Sequence, residues 1–214
     1  MDSGGGCAGM APELLRLERQ PFVTVIIPTY NRGQLLADTL SSFMSQQYPS
    51  DCYEIIIADN NSTDDTRTQA APFLSGGTVP VSYLLEPRQG VHFARNSAAK
   101  IARGEILYFT DDDMIADENL LREIVKPFAL DDRIGAVTGM VLPRWEDPPP
   151  DWVRKHCLNG VLSLNVREEE LLVTSYDCGV YSCHQAIRRD AFFRAGDSTR
   201  RIPPVSGSAT ARLG

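Results

Sequence analysis

Apolar residues along this chain fall into two alternating rhythms. Continuous apolar runs occur at Val23-Thr24-Val25-Ile26-Ile27, which is rich in β-branched residues, at Glu54-Ile55-Ile56-Ile57-Ala58 and at Ile106-Leu107-Tyr108-Phe109, and a further strand is expected over residues 81–85 after the loop at Gly76-Gly77. The three apolar runs have the length and composition of buried strands. Between these runs the apolar positions recur every three or four residues. Leu35, Leu36, Leu40, Phe43 and Met44 form one stripe, Phe93, Ala94, Ala98, Ile101 and Ala102 a second, and Leu120, Leu121, Ile124, Val125 and Phe128 a third, which is the spacing of amphipathic helices. Pro28 is expected to end the first strand, and Gly104 to close the helix over 91–103 as a left-handed cap. A further strand is predicted over residues 134–142, short strands over 171–175 and 182–187, and a short helix over 189–195 with Phe192 and Phe193 inward.

Repeated alternation of strand and helix predicts an α/β fold, a mostly parallel central sheet with helices on both faces. In such sheets ligands bind beyond the carboxyl ends of the strands, at a switch in strand order. The polar loops at residues 28–32, 59–63 and 111–113 each directly follow a strand, so they are expected on one edge. Ser62 or Thr63 is the expected cap of the helix after the second loop. The α/β pattern occupies residues 21–142. Residues 1–20, with Gly4-Gly5-Gly6, read as a flexible tail or a short amphipathic helix around Leu14, Leu15 and Leu17. A proline-rich stretch over 143–152 carries both tryptophans and opens a smaller subdomain over 143–195, as a plain connector or as an aromatic platform beside the site. Residues 196–214, rich in Ser, Thr, Arg, Pro and Gly, read as disordered or cut short.

Composition narrows the class. The 214 residues are 43% hydrophobic and 23% charged, which describes a globular chain long enough for a substantial core. A net charge of -7 argues against a nucleic-acid partner held on a broad basic surface. No apolar run approaches the roughly 20 residues that span a bilayer, and residues 1–10 lack the basic and apolar regions of a leader. The expectation is a cytoplasmic protein with no transmembrane segment; peripheral membrane association stays open. Cys7, Cys52, Cys157, Cys178 and Cys183 are odd in number and without CxxC spacing, so no disulfide framework is indicated, and Cys178, Cys183 and His184 make only a loose metal-ligand set. His92, His156 and His184 have no partner pattern and read as structural or surface residues.

Thr110-Asp111-Asp112-Asp113 is the electrostatic oddity. Three carboxylates in a row after a buried strand repel one another, and a hard divalent cation, Mn2+ or Mg2+, would remove the conflict with Asp111 and Asp113 as oxygen ligands. The competing reading is a solvated acidic turn that caps a helix near Asn119. The first strand leads into Pro28-Thr29-Tyr30-Asn31-Arg32-Gly33, which is not GxGxxG, and no GxxxxGK[ST] occurs anywhere, so neither dinucleotide redox chemistry nor a P-loop is indicated.

Taken together, Val25-Ile26-Ile27-Pro28-Thr29-Tyr30-Asn31, Ile57-Ala58-Asp59-Asn60-Asn61-Ser62-Thr63-Asp64, Ala94-Arg95-Asn96, Ala102-Arg103-Gly104-Glu105-Ile106 and Thr110-Asp111-Asp112-Asp113 resemble the family 2 glycosyltransferases of GT-A fold. The resemblance implies a nucleoside-diphosphate sugar donor and a saccharide or lipid-linked acceptor, as in cell-envelope polysaccharide synthesis. It implies Pro28, Thr29, Tyr30, Asp59 and Asn60 near the nucleoside, Asp112 near the ribose or sugar, and Asp111 and Asp113 on the metal. Arg95 would contact phosphate or pair with an acidic neighbour. The sequence departs at Asn60 and Asn61, where many relatives carry Asp-Gly, which leaves the base open. On residues alone, Asp59 and Ser62 also fit a capping turn, and Tyr30 a half-buried loop aromatic. Relatives place a general base in an acidic motif beyond a segment like residues 182–192; that motif is missing, so no base is assigned, with Asp177 and Asp190 as candidates. Two other functions fit less fully: a domain that binds nucleotide sugar without transferring it, and a metal-dependent nucleotidyltransferase.

Overall fold

The computed structural model describes residues 20–145, 147–156, 163–166 and 182–196. The expectations for residues 1–19, 171–175 and 197–214 lie outside these. In chain order the elements are β1 (Val23–Thr29), α1 (Gly33–Met44), β2 (Tyr53–Asp59), α2 (Thr66–Leu74), β3 (Val81–Leu85), α3 (Val91–Ile101), β4 (Ile106–Thr110), α4 (Leu120–Leu130), β5 (Ala136–Thr138), α5 (Asp151–His156), β6 (His184–Arg188) and α6 (Arg189–Ala195).

Among the described residues six strands form one sheet in the order β3-β2-β1-β4-β6-β5. β1 pairs parallel with β2 and β4, and β2 with β3, whereas β6 runs antiparallel between β4 and β5. The alternating positions of the strands feed two cores, as the period of two requires. Val25, Ile27, Ile55 and Tyr108 pack with Leu36, Leu40 and Phe43 of α1 and with Leu121 and Phe128 of α4. Ile26, Ile56, Leu107 and Phe109 pack on the other face against Ala94, Ala98 and Ala99 of α3 and Phe192 of α6. Alanines on α3 let that helix lie close to the sheet, and the mostly parallel, doubly covered architecture is the one the alternation predicts.

Several local expectations give way. β1 runs one residue past Pro28. Asn60 N donates to Thr29 O, so Thr29 faces β2 and Pro28 faces the β4 side, where pairing stops at Ile26; a missing N–H there breaks no ladder bond. Gly104 is not a left-handed cap, since among the described residues the glycines with positive φ are Gly90 and Gly196. Its lack of a side chain serves close approach, because a Cβ would lie 2.5 Å from Thr24 N. The strand expected over 134–142 contracts to β5 plus an isolated bridge from Val141 to Asn165. Leu35, Ile101 and Phe193 are exposed, being at the margins of their apolar stripes. The proline-rich stretch ends in α5, whose Asp151 follows Pro150, a residue suited to a helix start.

Candidate functional site

β1 sends the chain to β2 on one side, and β4 later joins on its other side, so the switch in strand order lies between β1 and β4. The register pairs Ile26 with Phe109; continued three residues, it brings Asp112 beside Thr29. There the Thr29 hydroxyl donates to Asp112 Oδ2 at 2.8 Å. Arg32 Nη1 reaches Asp112 Oδ1 at 3.2 Å and Asp113 Oδ2 at 3.0 Å. Arg95 Nη2, from α3, donates to Asp111 Oδ1 at 2.6 Å. The conflict of three adjacent carboxylates is therefore answered within the protein by two guanidinium groups.

The three aspartates are not equivalent. Asp112 is buried at 5% exposure, has both oxygens engaged, and its backbone carbonyl accepts from Thr39 Oγ1 at 2.8 Å. Burial raises its pKa, and burial likewise raises that of Asp111 in spite of Arg95. Asp111 and Asp113 have side chains 38% and 46% exposed. Among the described residues, neither Asp111 Oδ2 nor Asp113 Oδ1 accepts a hydrogen bond. No group of three or more His, Cys, Asp or Glu is gathered for a metal among the described residues. Two accessible hard oxygens without a closed cage suit a cation such as Mg2+ or Mn2+ that draws its other ligands from water and phosphate, so the residues present fit the expected metal.

α1 and the turn that follows it hold the acid loop through polar side chains. Thr39 takes Asp112 O, Ser42 Oγ accepts Ala116 N at 3.0 Å, and Gln46 joins Asp117 O at 2.7 Å to Leu121 N at 3.0 Å. Acids near Asn119 do not cap α4 directly: Asn119 is the cap position without a side-chain cap bond, and Asp117 Oδ1 accepts Asn119 N.

On the β2 side, Asp59 is 3% exposed. Its Oδ1 accepts Ser62 N at 2.9 Å and its Oδ2 the Tyr83 hydroxyl at 2.5 Å; burial, with Asp59 alongside, pushes the Tyr83 pKa up. Asn60 spends its amide inside the protein, donating to Glu86 O at 3.2 Å and Arg88 O at 2.6 Å and accepting Gly90 N at 2.7 Å. Next to it Glu86 is gripped by Arg88 at 2.7 Å through both Nε and Nη2 and by Ser97, which holds its carboxyl well below the usual range. Asn31, at φ 54, ties the two loops: its Oδ1 accepts Thr63 N at 2.7 Å and its N donates to Ser62 Oγ at 3.0 Å. Neither Ser62 nor Thr63 caps α2. That helix starts at Thr66, whose N–H goes to Asp64 Oδ1 at 3.0 Å. Tyr30 is 47% exposed at the mouth of these loops.

The remaining candidates separate clearly. β6 is antiparallel, with Arg188 opposite Ile106 and His184 opposite Thr110. Asp190 therefore lies at the opposite edge of the sheet, paired with Arg194 at 2.8 Å, and Asp177 lies outside the described residues. An open recess near Glu54, Val79 and Arg103 is also at that far edge, where Glu54 is already bonded to Thr24 and Arg103. His184 is buried with Tyr108 Oη 2.6 Å from Nδ1, as a structural histidine should be. Trp145 and Trp152 are exposed.

Sequence reasoning missed Arg32, Glu86 and the polar line of α1. The last left a signal, because Thr39 and Ser42 lie three residues apart on α1 and Gln46 follows four residues on, just past its end.

Comparison with known proteins adds the family. The profile described as glycosyl transferase family 2 matches residues 24–196. Glycosyltransferase AglE of Haloferax volcanii is 37% identical over 93 residues, 44% of this chain and 31% of that protein. A poly(ribitol-phosphate) β-N-acetylglucosaminyltransferase, TarP of Staphylococcus aureus, is 32% identical over 102 residues, 48% of this chain and 31% of that protein. The chain thus matches about a third of the length of these relatives. Among solved structures, the mannosyltransferase PcManGT from Pyrobaculum calidifontis, in complex with GDP-Man and Mn2+, superposes with TM-score 0.64 at 26% identity, over 85% of this chain and 48% of that one. No helix among the described residues is long and apolar enough to cross a membrane. With the matched profile spanning the sheet from β1 to α6, the chain belongs to glycosyl transferase family 2, and its doubly covered sheet is a GT-A fold.

Proposed function

We propose that this domain transfers a sugar from a nucleoside-diphosphate donor to a saccharide or lipid-linked acceptor, with inversion at the anomeric carbon and with Mn2+ or Mg2+. The observation that carries the reading is the pair Asp111 and Asp113, two accessible carboxylates flanking the buried Asp112 at the switch between β1 and β4. A cation held by them supplies neutralisation of the departing nucleoside diphosphate. Asp112, with Pro28 and Thr29 behind it, forms the floor under the ribose and sugar. Asp59 retains lone pairs for N–H groups of the base, Tyr30 offers a ring face to it, and Asn60 acts by shaping the loop over 86–90. Arg95 fixes Asp111 and lies within reach of a phosphate. The acceptor hydroxyl gives its proton to a carboxylate base, and none of the described residues is assigned that role.

Thermal melting of the chain with Mn2+ and each of a set of nucleotide sugars tests this, because a specific ligand raises apparent stability by mass action. One donor is expected to raise the melting temperature only when metal is present, and Asp113→Ala to abolish that rise. If Asp113→Ala keeps metal-dependent donor binding, the site assignment is wrong. Donor hydrolysis and transfer measured alongside separate a transferase from a domain that only binds, and release of pyrophosphate would mark a nucleotidyltransferase.

A further inference from the structure

Arg32 and Arg95 both meet the acid run, but on unequal terms. The Arg95 side chain is 11% exposed and lies 2.6 Å from Asp111 Oδ1 and 3.4 Å from Ser182 O. The Arg32 side chain is 51% exposed, and among the described residues only its Nη1 is engaged, divided between Asp112 Oδ1 and Asp113 Oδ2. Breaking a buried pair leaves an uncompensated charge, whereas an exposed pair in high dielectric contributes little. Asp113 is therefore released by moving one solvated guanidinium. After that movement the Asp112 carboxylate keeps the Thr29 hydroxyl on Oδ2 and its Oδ1 turns to the ligand, the Asp112 backbone carbonyl keeps Thr39, and Asp111 keeps Arg95.

We infer that Arg32 is a stand-in for the divalent cation. In the ligand-free domain it holds the positive position beside Asp113, and on donor binding it exchanges carboxylate oxygens for those of the diphosphate, leaving Asp113 to the metal. This rests on the donor-site reading above. A guanidinium suits the exchange because its fork of donors fits carboxylate and phosphate alike, and Arg32 has nitrogens to spare. Metal arriving alone must displace Arg32 and bear its repulsion; a diphosphate removes both obstacles. Metal and nucleotide then favour each other, by the same factor in each direction.

Titrating the full chain with Mn2+, following free Mn2+ by electron paramagnetic resonance, tests this with no turnover involved. Three series are needed: metal alone, metal with UDP, and metal with GDP. The wild type is expected to bind Mn2+ weakly alone and more tightly with one of the nucleotides. In Arg32→Gln, Mn2+ alone should bind about threefold to tenfold more tightly, while that nucleotide at saturating Mn2+ binds about tenfold more weakly. Arg32→Lys keeps the charge and should move both constants less. A variant that is merely loosened weakens both, so the opposite signs are diagnostic, and melting curves check folding. If Arg32→Gln matches the wild type in both constants, or loses Mn2+ affinity, the stand-in role is overturned while the donor site stands. If the wild type binds no Mn2+ with either of these nucleotides or with ADP, CDP or dTDP, the donor-site reading falls and the inference with it.

Discussion

The Thr29 hydroxyl donates to Asp112 Oδ2 across 2.8 Å, joining the last residue of β1 to the middle of the acid loop. Both residues are buried, so the bond has no water to replace it. Thr29→Val should leave a carboxylate oxygen unsatisfied and cost about 1–3 kcal/mol. Thr29→Ser, which keeps the hydroxyl, should cost distinctly less. Urea unfolding of both variants gives the comparison, and equal losses would mean that packing of the methyl group, not the hydrogen bond, matters at this position.

Asn60 should be a loop-shaping residue first. Its amide holds Glu86 O, Arg88 O and Gly90 N. Asn60→Ala removes three bonds in a buried setting and should destabilise by roughly 2–4 kcal/mol, by the cost per unmade bond. Hydrogen exchange should quicken at residues 86–90 well before it does in β1. Uniform quickening across the sheet would instead indicate global loosening.

Stability should fall on mild acidification because of His184. Burial holds its pKa down to about 4, against an unfolded value of 6.5. Between these values the unfolded chain binds more protons, so stability rises with pH across the window and is lost as pH drops from 6.5 towards 4. The full shift corresponds to about 3 kcal/mol, of which part is offset by Asp111 and Asp112, whose raised values act in the opposite direction. Urea midpoints at pH 7.5 and 5.0 should separate less in His184→Asn than in the wild type. Identical separations would show that the imidazole is not the group responsible.

Two glycines should respond differently to the same substitution. A Cβ on Gly104 meets backbone, at 2.5 Å from Thr24 N and 2.7 Å from Ile106 O, whereas one on Gly77 meets the far end of the Met44 side chain at 2.4 Å. Gly104→Ala must push β1 and β4 apart and should cost about 2–3 kcal/mol or more. Gly77→Ala should cost under about 1 kcal/mol, since methionine swings away readily. Thermal melting of the two variants distinguishes these outcomes.

Buried strands were legible because an unbroken run such as Ile55-Ile56-Ile57 has no solvent-facing reading. The acid loop was legible because three like charges need an explanation. Which cations answer them was not, since Arg95 and Arg32 arrive from 16 and 80 residues away in sequence, and only the fold decides which arginines turn inward. The direction of β6 was hidden for a related reason: residues 182–187 read as a strand whichever way they run, and it is the antiparallel pairing with β4 that carries Asp190 to the edge opposite Asp112. Gly104 was misread because a glycine after a helix signals a left-handed cap and close backbone approach equally well.

The insertion of β6 between β4 and β5 also sets an order of events during synthesis. β1 to β4 can pair as they leave the ribosome, but among the described residues β5 pairs in the sheet with β6 alone, and β4 keeps one open edge until the chain has been made through Arg188. At about 5–20 residues per second, that edge stays unpaired for several seconds in every nascent copy. Tyr108 and Phe109 lie along it, an aromatic, β-prone segment of the kind that recruits other chains. The late strand that aligns His184 with Thr110 is therefore also the one that ends the period in which this molecule is most exposed to aggregation.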